Sequence, residues 1–407
     1  MFLYFSRSAM VDPPDYEQIE EIRAVLQTYG PASAAAKIQE HMKQQNNIPL
    51  NIGITGESGS GKSTFVNAFR GIDNRDVKAA PTGCVETTSD VTPYPHPNYP
   101  NVTLWDLPGI GTTSFPADKY LQHVGFERFD FFIIISADRF RENDVKLAQE
   151  IQRMEKKFYF VRSKIDQDLR NEERSQREFN AEITLTQIRE NCIQGLQKQG
   201  VESPQVFLVS SFELHLYDFR LLEETLEREL PAHKRNTLLY ALPNISRGII
   251  NKKKEVLQST VKYYASLSAF VESAPIPGFT VIIADLNIAF KAIKRYQVTF
   301  GLDSESLQNF ALSAGVSVAD LRAVMTSPAS AIEINKDLVS NVIYLSSGQT
   351  LITAAEEAYR FIPMFGILEA MTLPFITTHN VLSISLSMLA EDAQRVFTRA
   401  LALNTSV

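Results

Sequence analysis

IPLNIGITGESGSGKST, residues 48–64, decides the fold class of this 407-residue chain. Alternating apolar residues predict a strand over 48–55, and the pattern GxxxxGK[ST] follows from Gly56 to Ser63. Glycines there let successive backbone N–H groups turn toward one anion, and a helix starting at about Lys62 directs its positive end at the same point. The stretch therefore predicts a P-loop, the phosphate-binding turn between a strand and a helix.

Each P-loop residue has an expected role at a nucleotide. We expect Lys62 to reach the β- and γ-phosphates and to stabilise the γ-phosphate in the reaction, and the Ser63 hydroxyl to ligate Mg²⁺. The other P-loop residues expected to contact the nucleotide are Gly56, Gly59, Ser60, Gly61 and Thr64.

A second motif, Asp106-Leu107-Pro108-Gly109, ends the strand predicted over 102–106. A DxxG element at this place lets Asp106 reach Mg²⁺ through water, and lets the Gly109 N–H contact a γ-phosphate. A plain turn between a strand and a helix is the alternative for this stretch.

A third motif distinguishes guanine from adenine. Ser163-Lys164-Ile165-Asp166 follows the strand predicted over 158–162 and matches the (N/T)KxD element with Ser in the first position. The Asp166 carboxylate can accept from guanine N1–H and N2–H₂, a donor pair that adenine lacks, and Lys164 can lay its aliphatic stem over the base. A weaker signal for a loop that contacts the base is Ser210 and Ser211, at the end of the last predicted strand. Together the motifs indicate GTP rather than ATP.

Strands alternate with helical patterns between the P-loop and residue 230, which predicts an α/β fold with a doubly wound, mainly parallel sheet, as in a Ras-like GTPase. We expect a Ras-like G domain at 47–230, and an all-α domain formed by an N-terminal helical segment at 1–46 and C-terminal helices at 231–407. Residues 71–100 are polar and rich in proline, which suits a switch region. After residue 231 helical patterns predominate, among them 336–359 and 379–402, with a break at Pro275 to Gly278.

The composition excludes several functional classes. A net charge of −7 gives no support for nucleic-acid binding, and the two cysteines form neither a disulfide framework nor a zinc site. We therefore expect a reducing, cytoplasmic compartment. No secretory signal or prenylation box is visible, and Phe2 stands where N-myristoylation requires glycine. The apolar stretches 276–290 and 361–389 fit buried helices, with a membrane-associating surface as the alternative.

One residue type is missing from the expected site. Ras-like enzymes carry a glutamine directly after DxxG to orient the attacking water, and this chain has Ile110 there. We therefore expect either slow hydrolysis by the monomer or a site completed in another way, such as by self-association. Polar candidates in the 79–97 stretch are Thr82, Glu86, Thr87 and Thr88; a threonine hydroxyl there can complete the Mg²⁺ shell.

The chain resembles the immunity-related GTPases, the interferon-inducible vertebrate family. The resemblance is carried by GESGSGKSTFVNAFRGI, AAPTGCVETT, TPYPHPNYPNVTLWDLPGIGTT, FDFFIIISADRF, FYFVRSKIDQDL, VFLVSS, YDF and LPAHKR, and it extends through FGLDSESL and LAEDAQRV. The last two resemble the cinema-type, germ-line-expressed branch, and Lys62 places the P-loop with the GKS class.

That resemblance implies a G domain between helices that form one helical domain, GTP hydrolysis, self-assembly through G domains, and peripheral association with intracellular membranes. It implies a catalytic role for Glu86, and it places Thr82 and Gly83 near the nucleotide, with Thr82 as a candidate Mg²⁺ ligand. The chain departs from the family at Phe2, where a myristoylated glycine is absent, and at Ser211, where the family often has Asn.

Two hypotheses follow. The first is a dynamin-like GTPase of cell-autonomous innate immunity, which binds GTP and Mg²⁺, assembles in the GTP state and acts at intracellular membranes. The second is a GTP-regulated scaffold or binding module with negligible intrinsic hydrolysis.

Overall fold

The computed structural model describes residues 13–83, 90–108, 124–137, 142–273, 281–330, 342 and 348–404. By its internal contacts the chain forms two compact units. One comprises 47–250, 304–324 and 394–407, and the other comprises 1–46, 251–303 and 325–393. Contacts thus group 231–250, 304–324 and 394–407 with the sheet, whereas the division made from the sequence placed every residue after 230 in the helical domain.

The helices of the described chain are α1 (Pro13–Tyr29), α2 (Pro31–Asn46), α3 (Lys62–Phe69), α4 (Glu142–Arg153), α5 (Ile165–Ser175), α6 (Ala181–Lys198), α7 (Phe219–Glu229), α8 (Ala232–Ala241), α9 (Arg247–Ser273), α10 (Val281–Thr299), α11 (Ser304–Ala314), α12 (Val318–Arg322), α13 (Gly348–Phe365) and α14 (Glu369–Asn404). Short 3₁₀ turns lie at Phe126–Arg128 and Pro328–Ser330.

Six strands form one sheet: β1 (Leu50–Thr55), β2 (Thr92–Pro95), β3 (Val102–Asp106), β4 (Phe131–Ser136), β5 (Phe158–Arg162) and β6 (Val206–Leu208). Their order in the sheet is β2-β3-β1-β4-β5-β6. Only the β2–β3 pair is antiparallel among the described pairings. The predicted α/β class with a mainly parallel sheet is confirmed.

The continuous apolar run of β4 follows from its central place in the sheet. All six of its residues, FFIIIS, are buried, as expected for a parallel strand covered on both faces. On the neighbouring strand β1, a Cβ at Gly53 would lie 2.7 Å from the Phe132 ring, so only glycine fits beside that ring. Phe132 also belongs to the core cluster that α4 and α6 complete with Leu147 and Leu196.

Strand β2 lies within the 71–100 stretch, which was interpreted from the sequence as a switch region. This strand was not predicted because it contains Pro93 and Pro95, and proline lacks the N–H that a central strand needs. At the sheet edge this lack is tolerated, and Tyr94 faces Leu104 across the antiparallel ladder.

The second unit, 1–46, 251–303 and 325–393, is called the helical unit here and has its own core. Helix α1 packs against α2 and α13, and the core side chains include Ile19, Ile22, Ile38, Phe270, Phe365 and Phe375. The Asp15 carboxylate accepts hydrogen bonds from Lys262 and Tyr263, which join α1 to α9.

The C-terminal helices differ from the predicted boundaries. Residues 361–378 belong to the apolar stretch expected to form buried helices, and they are helical except at 366–368, although Pro363 and Pro374 lie inside α13 and α14. Tertiary packing outweighs the missing N–H groups there. The predicted break between Pro275 and Gly278 lies outside the described residues.

Within the described chain one helix, Glu369–Leu403, is long and apolar enough to cross a membrane by length and composition alone. In its most apolar window 61% of the residues are buried inside the protein, as in a core helix.

Candidate nucleotide-binding site

The predicted site residues follow the carboxyl ends of neighbouring strands. The P-loop follows β1, Asp106 ends β3, Ser163 follows β5, and Ser210 comes shortly after β6. In an open parallel sheet these ends lie at one edge, where ligands bind.

Backbone conformation explains the P-loop glycines. Gly59 and Gly61 have φ of +78° and +95°, in the left-handed region that favours glycine. At Gly56, with φ +140°, an added Cβ would lie 2.1 Å from the carbonyl oxygen of Ile135 on β4. The loop can therefore run close against the sheet only with glycine at 56.

Lys62 begins α3, as the sequence predicted, and its side chain is held inside the P-loop. Its Nζ donates to the carbonyl oxygens of Gly56, at 3.2 Å, and Glu57, at 2.9 Å. Ser60 is 3% exposed, and its Oγ has no hydrogen-bond partner within the described part of the chain. A buried hydroxyl in this state fits a loop that receives an oxygen-rich ligand. Thr64, in the first turn of α3, is half-buried.

Ser63 and Asp106 are in direct contact. Ser63 Oγ donates to Asp106 Oδ2 over 2.5 Å, and Asp106 is fully buried. The pairing of Ile54 with Asp106 between β1 and β3 places this carboxylate beside the end of β1, where the P-loop begins. A hydroxyl and a carboxylate oxygen side by side fit Mg²⁺, which binds one or two protein oxygens together with substrate phosphates. Within the described residues no group of three His, Cys, Asp or Glu side chains forms a separate metal site.

The SKID element, Ser163 to Asp166, is hydrogen-bonded to the P-loop. Ser163 Oγ donates to the Ser60 carbonyl oxygen over 2.7 Å. Lys164 Nζ donates to the Gly59 carbonyl oxygen over 2.8 Å, and the backbone of Lys164 has φ +58°. A left-handed lysine is uncommon, and the bond to Gly59 offsets part of its cost. The loop expected to hold the base and the loop expected to hold the phosphates thus share hydrogen bonds.

Asp166 lies in the first turn of α5 and is 9% exposed. Its Oδ2 accepts from Arg170 Nη2 over 3.1 Å, one helical turn away. Because the Arg170 side chain is 62% exposed, this ion pair is weak, and a base with two N–H donors can replace it.

Ser210 and Ser211 occupy the loop after β6. Ser210 is fully buried, and its Oγ accepts from the Glu213 N–H over 3.3 Å, so this hydroxyl shapes the turn. Ser211 is half-buried. The Ile165 N–H donates to the Val209 carbonyl oxygen, which joins this loop to the SKID element.

The structure does not bring every predicted residue to this edge. Thr82 and Gly83 lie on an exposed segment, and no described contact joins either to Lys62, Ser63 or Asp106. Glu86, Thr87, Thr88, Gly109 and Ile110 lie outside the described residues.

Three polar residues near the site were not predicted from the sequence. Asn143 Nδ2 on α4 donates to Glu57 Oε1 in the P-loop over 3.0 Å. Asn67 and Arg70, on α3 and at its end, are buried and bond to the backbone of the segment after α3. The one available signal was a polar Asn67 within the apolar face of FVNAFRGI.

A P-loop, a buried aspartate beside its serine, and a KxD loop bonded to it on a mainly parallel sheet define a P-loop GTPase. The chain belongs to the interferon-inducible GTPase (IIGP) family, whose model matches residues 15–399. The resemblance found in the sequence is thereby confirmed, and the chain is a guanine-nucleotide-binding GTPase. The GKS class and the cinema-type branch stay predictions.

Relatives support this assignment over nearly the whole chain. Interferon-inducible GTPase 5 of Bos taurus is 41% identical over 387 residues, covering 95% of this chain and 82% of its own. Interferon-gamma-inducible GTPase 10 of Mus musculus is 39% identical over 392 residues, covering 96% and 91%. Among solved structures, Toc33 from Arabidopsis thaliana in complex with Mg²⁺ and GMPPNP is 13% identical with a TM-score of 0.30, covering 48% of this chain and 82% of that chain. The fold assignment rests on the sheet and the site and not on that last likeness.

Proposed function

We propose that this GTPase uses Mg²⁺, assembles with further copies of itself in the GTP state, and acts at intracellular membranes in cell-autonomous innate immunity, from the cytoplasm. The observation that carries the chemistry is the Ser63–Asp106 contact at the mouth of the P-loop. It supplies a hydroxyl and a buried carboxylate where the phosphates of GTP are expected.

The chain's own groups have distinct roles in the proposed mechanism. Lys62 exchanges its bonds to loop carbonyls for the β- and γ-phosphate oxygens, and the Ser60 hydroxyl donates to a phosphate oxygen. Ser63 and Asp106 would hold Mg²⁺, and the bound ion would neutralise charge on the phosphate oxygens. Asp166 accepts from the two guanine donors and so selects the base.

Assembly is proposed because the water-orienting position is apolar. Ile110 carries no acceptor for a proton of the attacking water. Glu86 does carry one, and we propose that it orients this water once two copies have associated. Thr82 would then supply its hydroxyl to the bound Mg²⁺.

Rate against protein concentration tests this part. For the wild type we expect GTP turnover per molecule to rise from dilute to concentrated protein. Glu86→Ala should lower the rate by about 10²-fold or more, the usual effect of removing a general base, and should leave GDP affinity unchanged. Glu178→Ala, at an exposed position of the same unit, is the matched control. A turnover that is independent of concentration would contradict self-activation.

Membrane action is supported by exposed apolar side chains on the helical unit. Ile352 and Tyr359 on α13 are 61% and 59% exposed, and Leu368 and Leu373 are 61% and 74% exposed. We expect the chain to co-sediment with phospholipid vesicles more strongly with a non-hydrolysable GTP analogue than with GDP. Leu373→Glu should weaken that binding, and Leu221→Glu, at an exposed position of α7, should not. Equal sedimentation with and without vesicles would refute membrane action.

A further inference from the structure

Helix α3, which starts in the P-loop, holds the backbone of a distant segment through Asn67. The Asn67 side chain is fully buried. Its Nδ2 donates to the Ala80 carbonyl oxygen over 2.9 Å, and its Oδ1 accepts from the Ala80 N–H over 2.7 Å. Nδ2 also donates to Asn74 Oδ1. The amide thus binds both backbone groups of one buried residue, as a neighbouring strand would.

Arg70, which caps α3, donates hydrogen bonds to two further backbone carbonyl groups. Its Nη1 donates to the Lys78 carbonyl oxygen and its Nε to the Pro95 carbonyl oxygen, each over 3.2 Å. Its guanidinium lies 5.3 Å from the centre of the Tyr94 ring on β2. Arg70 is 6% exposed, and burial lowers its pKa from the ordinary value. A buried arginine with two backbone acceptors and an aromatic partner is an anchor rather than a surface charge.

The backbone groups that bond to Asn67 and Arg70 lie on either side of the segment that begins with Thr82 and Gly83. Lys78 and Ala80 come just before it, and Pro95 lies after it. Asn67 and Arg70 stand about one and two turns beyond Lys62 along the same helix. A single helix therefore carries the phosphate-binding lysine at its start and fixes both ends of this segment.

We propose that Asn67 and Arg70 are positioning residues for GTP hydrolysis, which fix the ends of the Thr82–Gly83 segment relative to Lys62 and Ser63. The inference rests on the GTPase activity and on the proposed place of that segment at the γ-phosphate, and it is independent of membrane action. Reacting groups must be held to within about 1 Å, since a larger displacement costs about 10²-fold in rate. Without the Asn67 amide, the buried N–H and C=O of Ala80 need new partners, and the segment shifts to find them.

Single-turnover hydrolysis and two affinities test the proposal. For Asn67→Ser and Arg70→Gln we expect a hydrolysis rate lowered about tenfold or more and a GDP affinity within about twofold of the wild type. The affinity for a non-hydrolysable GTP analogue should fall relative to that for GDP, since GDP lacks the γ-phosphate at which this segment is proposed to act. Arg70→Lys keeps the charge and should lie between Arg70→Gln and the wild type. Arg75→Gln, whose side chain is 73% exposed and pairs with Asp73, is the matched control and should leave all three values unchanged.

Two results would overturn the proposal. One is wild-type hydrolysis by Arg70→Gln. The other is a loss of GDP affinity and of thermal stability in step with the rate, which is what a merely structural role produces. If Asn67→Ser fails to fold, shown by lost GDP binding, the Arg70→Gln and Arg70→Lys pair decides. If the wild type shows no hydrolysis at any concentration, the proposed catalytic function fails, and the ratio of analogue to GDP affinity still decides the positioning role.

Discussion

Ser163 Oγ and the Ser60 carbonyl oxygen, from residues 103 positions apart in the sequence, are joined by a buried hydrogen bond of 2.7 Å. One end belongs to the loop after β5 and the other to the P-loop. We therefore expect binding of the base and binding of the phosphates to be linked, because neither loop can move relative to the other without breaking this bond.

Ser163→Ala should weaken GDP and GTP binding to a similar extent, by about fivefold to 30-fold, the effect of losing one buried hydrogen bond of about 1–2 kcal/mol. Titration with labelled nucleotide measures both affinities. Ser175→Ala, which removes an exposed hydroxyl bonded to the Glu172 carbonyl at the end of α5, is the control. An effect on GTP alone would show that Ser163 acts at the γ-phosphate and would contradict the linkage.

Asp166→Asn should shift preference from guanine toward xanthine nucleotides, because an amide presents a donor where the carboxylate accepts. Competition between GTP and XTP measures the shift, and we expect more than about tenfold, the loss of a charge-assisted bond. Asp168→Asn makes the same chemical change two positions along α5, at a carboxylate paired with Arg162 at 2.5 Å. That variant should keep guanine preference, and unchanged preference in Asp166→Asn would refute the base assignment.

Gly56→Ala should destabilise the fold far more than a left-handed conformation alone explains. The added Cβ would lie 2.1 Å from the Ile135 carbonyl oxygen, in backbone that cannot yield without disturbing β4. We expect a loss above about 3 kcal/mol in the free energy of unfolding, against about 1 kcal/mol for Gly200→Ala. Gly200 has φ +83°, and a Cβ added there would meet nothing within 4 Å, so it isolates the conformational cost. Equal losses in urea unfolding would contradict the close approach to β4.

His379 should make the stability of the chain depend on pH. Burial lowers its pKa from 6.5 to about 4, and its ring stacks on Phe375. Between about pH 4 and 6.5 the unfolded chain binds a proton that the folded chain does not, so the free energy of unfolding falls as the pH is lowered through this window. The full effect is about 3 kcal/mol.

Urea unfolding at pH 4.5 and pH 7 measures this dependence. His379→Gln should flatten it, and His233→Gln, at an exposed position of α8, should not. An unchanged slope in His379→Gln would show that other groups are responsible.

Local motifs were predicted well because their chemistry is encoded in short stretches. The glycines of the P-loop, the start of α3 at Lys62 and the apolar run of β4 each follow from a few neighbouring residues. Strand β2 was missed because its prolines are acceptable only at a sheet edge, and the place of a strand in a sheet is a property of the whole fold. The apolar stretch 361–389 is helical as expected except at 366–368, and packing outweighs the prolines inside α13 and α14, which blurred the predicted helix ends.

By itself the sequence determined the class of this protein: a P-loop, DxxG and KxD in order, each set by residue type and spacing, predict a guanine-nucleotide GTPase. Longer stretches such as TPYPHPNYPNVTLWDLPGIGTT carry its membership of the interferon-inducible family. Only the tertiary structure decided which distant groups meet. It brought Ser163 into a hydrogen bond with Ser60, and Ser63 into one with Asp106. It also bonded Asn67 and Arg70 to the backbone of the segment that leads to Thr82. The physical reason is that these contacts depend on strand register and on how α3 packs against the sheet, and neither is encoded in any short stretch of the chain.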